Sequence, residues 1–199
     1  MNETGKRRAI FLDRDGTVSR EIGYMTDVAR LELLPRTATA IGSINRSGFL
    51  AILTTNQSGV ARGLFPESSV HRAHNRLRTL LARRGAYLDA FYFCPHHPSE
   101  GKPPHRLRCE CRKPKTGLPE RAARELGLDL NSCYVVGDTR KDVEMARRVG
   151  ATGVLVLTGY GRGEWESHRS GFHRPPAFIA EDLQQAVDWI LDRESRSPE

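Results

Sequence analysis

Short apolar runs alternate with amphipathic stretches along the chain, and that alternation leaves few folds open. Ala9-Ile10-Phe11-Leu12, Phe49–Leu53, Ala90–Phe93, Cys133–Val136 and Gly153–Leu157 are apolar or nearly so. Runs this short, without polar alternation, read as strands covered on both faces. Between them lie segments with helical spacing: Thr37–Arg46, about 67–84, Gly117–Leu126, Lys141–Val149 and, at the end, Asp182–Leu191. Strands separated by helices call for an α/β fold, a doubly wound parallel sheet with helices on both faces. Ligands in such sheets bind beyond the carboxyl ends of the strands. At 199 residues the chain fits one domain, 1–199, with no segment large enough for a separate cap domain. The connections 14–34, 94–116 and 158–177 are read as long loops, the stretch 158–174 being rich in glycine and histidine.

Chemistry is expected where the strands end. Asp13-Arg14-Asp15-Gly16-Thr17 follows the first run directly. Two aspartates two apart on a turn can share one hard cation and still face different atoms of a ligand. Gly137-Asp138, with Asp142 four residues on, adds carboxylates from another strand end. Magnesium takes a few carboxylates and completes its shell with water and phosphate oxygens. A phosphate dianion repels a carboxylate nucleophile, so the metal and nearby cations must screen that charge. Thr55-Asn56 can donate hydrogen bonds to phosphoryl oxygens, and Lys113, flanked by Arg112, brings positive charge. Each element alone has an ordinary reading, the aspartate turn as a helix cap and Lys113 as a solvated loop cation. All four at successive strand ends point to phosphoryl transfer.

Cys94-Pro95-His96 and Cys109-Glu110-Cys111 form two pairs with one residue between the members. Residues i and i+2 of an extended segment point the same way, so each pair can clamp one side of a tetrahedral ion. Three thiolates and an imidazole make a closed, structural zinc site. His97 competes with His96 as the fourth ligand, and the matching spacing favours His96. His105 has no such partner, and Cys133 reads as a core residue. With one residue between Cys111 and Lys113, zinc would stiffen the loop that carries Arg112 and Lys113.

The net charge of +7 raises nucleic acid as a partner, but the basic residues are scattered and form no long cationic block. The charge suits a doubly phosphorylated metabolite instead. No apolar stretch is long enough for a membrane helix, and Met1–Arg8 lacks the apolar region of a secretory signal. A soluble, cytoplasmic monomer is expected, with neither nucleic acid nor membrane as partner.

The ordered set Asp13-x-Asp15, Thr55, Lys113 and Gly137-Asp138 resembles the haloacid dehalogenase (HAD) superfamily of phosphatases. The runs Phe11–Thr17, Thr55–Gly63, Cys94–Pro98 and Cys109–Pro114 are similar, more narrowly, to its heptose bisphosphate phosphatase family, in the histidinol-phosphatase-related branch. The resemblance implies Asp13 as nucleophile, Asp15 as general acid and base, Thr55 and Lys113 at the phosphoryl group, and magnesium on Asp13, the carbonyl of Asp15, and Asp138. It implies zinc on Cys94, His96, Cys109 and Cys111. It also implies substrate contacts from Glu21, Gly23, Tyr24, Thr55, Asn56, Gln57, Ser58, Arg112 and Lys113. The expected reaction removes the C7 phosphate of heptose 1,7-bisphosphate on the way to ADP- or GDP-heptose and lipopolysaccharide. Arg62 and Arg112 are the arginines nearest the motifs for the second phosphate.

Histidinol phosphate is the alternative substrate. A receiver-like signalling domain also phosphorylates an aspartate on such a sheet, but it needs neither Asp15 nor the cysteines. A zinc-dependent nucleic-acid module leaves the aspartates unexplained.

Overall fold

The computed structural model describes residues 5–196. Residues 1–4, within the stretch read as lacking a secretory signal, and 197–199, the end of the expected 1–199 unit, lie outside the described residues. Six strands form one parallel sheet: β1 (Ala9–Leu12), β2 (Leu50–Asn56), β3 (Ala90–Cys94), β4 (Tyr134–Gly137), β5 (Thr152–Val156) and β6 (Phe178–Ala180). Their order across the sheet is β3-β2-β1-β4-β5-β6. The chain winds outward through β2 and β3, then returns to the middle and winds the other way from β4. The change of direction falls between β1 and β4, where a crevice opens at the carboxyl ends.

Along β1 the side chains alternate, and both faces are covered. Ile10 and Leu12 pack with α1 (Thr37–Arg46), α2 (Glu67–Ala82) and α6 (Leu183–Arg196), through residues such as Ile41, Leu77 and Val187. Ala9 and Phe11 pack on the other face with α3 (Gly117–Leu126) and α4 (Arg140–Val149), through Leu118, Ala122 and Met145. This double burial explains why β1 reads as an unbroken apolar run. The helix α4 starts with a reciprocal cap, Thr139 Oγ1 donating to Asp142 Oδ2 at 2.6 Å while the Thr139 N–H donates to the same carboxylate. That cap fixes the chain just after Asp138.

Three expectations need correction. The second strand does not stop at Leu53 but carries Thr54, Thr55 and Asn56 within it, paired with β3 as far as Asn56 opposite Cys94. The region 158–177 is not a loop: α5 (Gly161–His168) and a 3-10 turn at Arg169–Gly171 occupy it. The sheet also gains a sixth strand, β6, beyond the five expected. Both missed elements lie at one margin of the fold and carry little apolar pattern. In α5 only Gly161 is buried, and the helix draws on Arg162 facing Glu166 and on Trp165 against Phe172. The strand β6 has three residues, too few to show a period.

The segment 14–34 remains without long elements, yet it is tied down. Ser19 bridges both Asp15 and Leu33, and Val18, Met25 and Leu31 are buried in the core. Arg76 of α2 donates to the carbonyls of Leu31 and Ala29. Among the described residues no helix is long and apolar enough to cross a membrane.

Candidate active site

The crevice between β1 and β4 holds a cavity of about 290 Å³. Asp13, Asp15, Thr55, Lys113 and Asp138 line it, as do Glu21, Gly23, Tyr24, Asn56, Gln57 and Ser58. Arg112 is absent from that lining. Its Nη1 donates to the carbonyl of His96 at 3.2 Å, which turns the guanidinium toward the cysteine-rich loop.

Lys113 sits at the centre of the charges and is 4% exposed. Its Nζ lies 2.8 Å from Asp13 Oδ1, 2.6 Å from Asp142 Oδ1 and 3.0 Å from the carbonyl of Thr54. An ammonium has three hydrogens, so each has a partner. Burial pulls its proton affinity down, but the charges of Asp13 and Asp142 outweigh that and hold Lys113 protonated above its ordinary range. The Asn56 side chain fixes the lysine's backbone, accepting from Lys113 N–H at 3.0 Å and donating to its carbonyl at 3.2 Å. That amide is therefore engaged with the protein, whereas the sequence suggested it as a donor to phosphoryl oxygens.

Asp13 Oδ1 accepts from Lys113 and, at 2.7 Å, from the backbone N–H of Arg14. No described residue donates a hydrogen bond to Oδ2. One oxygen is anchored, and the other has no protein donor. Burial pushes the Asp13 carboxyl up to about 7, with Asp142 and Asp15 adding to the rise and Lys113 opposing it. Burial likewise pushes Asp138 up to about 9, reinforced by Asp13 and Asp142. The Tyr160 N–H donates to Asp138 Oδ2 at 2.9 Å. Gly16 and Gly159 flank that carboxylate with φ of 81° and 56°, and a Cβ on either would overlap it. Glycine is needed there for both reasons.

Asp15 is aimed by two neighbours. Arg14, 2% exposed, forks onto it with Nε at 3.0 Å from Oδ1 and Nη2 at 2.7 Å from Oδ2. Gln57 Nε2 donates to Asp15 Oδ2 at 3.0 Å and to Thr55 Oγ1 at 2.9 Å. The Thr55 hydroxyl accepts that bond and keeps its own hydrogen to donate.

Asp13, Asp138 and Asp142 bring carboxylate oxygens within 4.8 Å of one another. Asp142 is spent on Lys113 and on the α4 cap, leaving Asp13 and Asp138 to face a ligand. Three buried carboxylates around one ammonium leave an excess of negative charge, and a hard divalent cation on oxygen donors answers it. The residues fit magnesium.

A second ligand group lies on the loop between β3 and α3. Cys94, His96, Cys109 and Cys111 place their donor atoms within 4.8 Å of one another. Cys94 Sγ is 3.5 Å from Cys109 Sγ, Cys111 Sγ is 3.3 Å from Cys109 Sγ, and His96 Nδ1 is 3.3 Å from Cys111 Sγ. A tetrahedral zinc with Zn–S bonds of about 2.3 Å spaces its ligands by about 3.7 Å, close to these separations. The hydrogen bond from Cys94 pulls the Cys111 thiol down to about 5. His97 points elsewhere, with Nε2 3.3 Å from Arg62. Cys133 is buried in the core, its Sγ accepting from Ala9 N–H at 3.3 Å.

Sequence reasoning missed Arg14, whose position between two aspartates was the available signal. It also missed Lys141, which lies between Asp138 and Asp142, and Tyr160, which lies between β5 and α5; both line the cavity.

A profile of the HAD-hydrolase-like family matches residues 110–186. A heptose-1,7-bisphosphate 7-phosphatase of Thermosynechococcus vestitus is 42% identical, covering 92% of this chain and 95% of that protein. The enzyme of the same kind from Escherichia coli K12 is 36% identical over 92% of this chain and 88% of its own. The crystal structure of D,D-heptose 1,7-bisphosphate phosphatase from B. bronchiseptica, complexed with magnesium and phosphate, superposes with a TM-score of 0.81 at 32% identity. It covers 94% of this chain and 99% of its own. The fold and site are those of a HAD hydrolase. Within that class, the chain belongs to the heptose-1,7-bisphosphate 7-phosphatase family.

The buried carboxylates make a pH prediction for metal-free protein. Asp13 titrates near about 7 in the fold against an ordinary value of 3.8. Its folded form thus holds the proton more tightly, so its contribution to stability is complete below about pH 4 and is lost as pH rises through 7. Asp13→Asn mimics the neutral carboxyl. In the presence of a chelator, its melting temperature should match the parent's near pH 4 and exceed it by a widening margin up to pH 8. A margin that stays constant or narrows would contradict the charge assignment.

Proposed function

We propose that this chain is a magnesium-dependent phosphatase that removes the C7 phosphate of D-glycero-D-manno-heptose 1,7-bisphosphate and leaves heptose 1-phosphate. The observation that carries the reading is the asymmetry of Asp13, one oxygen anchored by Lys113 and the other without a protein donor. Asp13 Oδ2 attacks phosphorus as the bond to O7 breaks, forming an aspartyl phosphate. Asp15 gives its proton to the departing O7, then takes one from the water that hydrolyses the intermediate. Arg14 and Gln57 hold Asp15 in line for both transfers. Thr55 donates to a phosphoryl oxygen, and Lys113 balances the charge on the anchored side of Asp13. A magnesium ion held by Asp13, Asp138 and the carbonyl of Asp15 would screen the phosphate from the carboxylate and keep that carboxylate ionised.

Glu21, Gly23, Tyr24, Asn56, Gln57 and Ser58 form the sugar's surroundings, Asn56 acting through the Lys113 backbone it grips. Arg112, bonded to His96, braces the loop in this state. Zinc on Cys94, His96, Cys109 and Cys111 is structural and holds Lys113 from one side, as Asn56 does from the other. Clustered free thiols suit the reducing cytoplasm, where ADP- or GDP-heptose precursors would be made.

Substrate choice is checked by comparing specificity constants on purified compounds. Heptose 1,7-bisphosphate should be preferred over histidinol phosphate, with phosphorus NMR showing the C1 phosphate intact in the product. A preference for histidinol phosphate would overturn the assignment. Elemental analysis of the purified protein should find about one zinc per chain, and Cys109→Ser should lower both zinc content and activity while the far-ultraviolet circular dichroism persists. Zinc-free protein with full activity would refute the role given to the metal.

A further inference from the structure

A substrate with two phosphates brings two dianions, and most cations around this cavity are already committed. Lys113 uses all three hydrogens on Asp13, Asp142 and Thr54. Arg14 is buried on Asp15. Arg62 lies 3.4 Å from Glu100 and 3.3 Å from His97, and Arg140 is 3.9 Å from Glu164. Lys141 also lines the cavity, and among the described residues it has neither a hydrogen bond nor an ion pair. It is solvent-exposed.

Its place in the fold makes that freedom informative. Lys141 is the second residue of α4, the helix that opens directly after Asp138-Thr139. A helix N-terminus carries partial positive charge, so a cation there is disfavoured unless something negative arrives. Neighbouring Arg140 meets Glu164, but no acidic group among the described residues answers Lys141. The side chain is also unconfined, because it borders a second cavity of about 500 Å³ on the α4 side. A long, flexible ammonium suits a phosphate whose position shifts with the sugar, since a point charge demands no fixed geometry.

We propose that Lys141 receives the phosphate that the enzyme does not transfer, and so selects doubly phosphorylated sugars over monophosphates. The proposal rests on the bisphosphate reading above and names a specificity residue within it. By holding the far phosphate, Lys141 orients the sugar so that the reacting phosphate meets Asp13 in line. Lys141 makes no contact with the reacting atoms in this scheme, so its effect is expected in binding more than in chemistry.

The test uses the full chain with magnesium, the variants Lys141→Ala and Lys141→Arg, and two substrates, heptose 1,7-bisphosphate and p-nitrophenyl phosphate. A charge-assisted contact of ordinary strength corresponds to about 10–100-fold in binding. Lys141→Ala should therefore lower kcat/KM on the bisphosphate by about that factor, mainly through KM, and lower it on the monoester by no more than about threefold. Lys141→Arg should recover most of the loss. Equal losses on both substrates would overturn the proposal, because Lys141 would then serve the transferred phosphoryl group. An Ala variant that keeps the parent's preference for the bisphosphate would overturn it as well, while leaving the heptose reading standing. A parent enzyme with no such preference would sink both.

Discussion

The ammonium of Lys113, buried between the carboxylates of Asp13 and Asp142, is the contact on which the rest of the site depends. Removing that ammonium would strand two buried carboxylates, and stranding a buried charge costs about 3–5 kcal/mol, so both depend on Lys113. Replacing all three with apolar residues would satisfy the core as well, which means that packing alone does not call for them. What the arrangement provides is a carboxylate with one oxygen fixed and the other left without a protein donor, in surroundings that disfavour its charge. Asp138 adds a further buried carboxylate beside it. The resulting surplus of negative charge is the reason a divalent cation belongs here, and Gly16 and Gly159 leave the room for Asp138 to approach.

Holding Lys113 in place takes support from two directions. From the sheet, Asn56 at the end of β2 makes a two-bond grip on the lysine's backbone. From the other side, the four-ligand cluster ends at Cys111, and Arg112 ties back to His96 between the two. The loop 94–116 is polar and proline-rich, with no helix or strand between β3 and α3 to order it. A metal in the cluster supplies the cross-link that an apolar core would supply elsewhere. The four-ligand cluster and Lys113 are in this sense parts of one device.

Much of this was legible in the chain. The strands β1 and β4 show as apolar runs because both faces are covered, and Asp13 and Asp138 follow them directly. The helices Thr37–Arg46 and Gly117–Leu126 fall where the helical segments were read. The ligand pairs of the cysteine-rich loop showed in their i, i+2 spacing, and the fold resolved the choice between His96 and His97. What stayed hidden has physical causes. The helix α5 is almost wholly exposed and stabilised by surface pairs, which leave no periodic apolar trace. Thr54–Asn56 are polar residues inside a strand, with Thr54 and Thr55 buried and Asn56 half-buried beside the adjoining site. Arg14 drew no reading of its own from the chain, and only the fold reveals it as a buried fork on Asp15. The commitment of Arg112 to a carbonyl, and the freedom of Lys141, are properties of side-chain direction that spacing does not encode.

The central claim is that phosphorus passes through a covalent bond to Asp13. Rapid acid quenching during turnover, followed by borohydride reduction, converts an acyl phosphate on aspartate to homoserine, which peptide mass spectrometry locates. The account predicts homoserine at position 13, dependent on substrate and magnesium and absent when either is withheld. Homoserine at Asp15 or Asp138 instead, or none during demonstrated turnover, would contradict it.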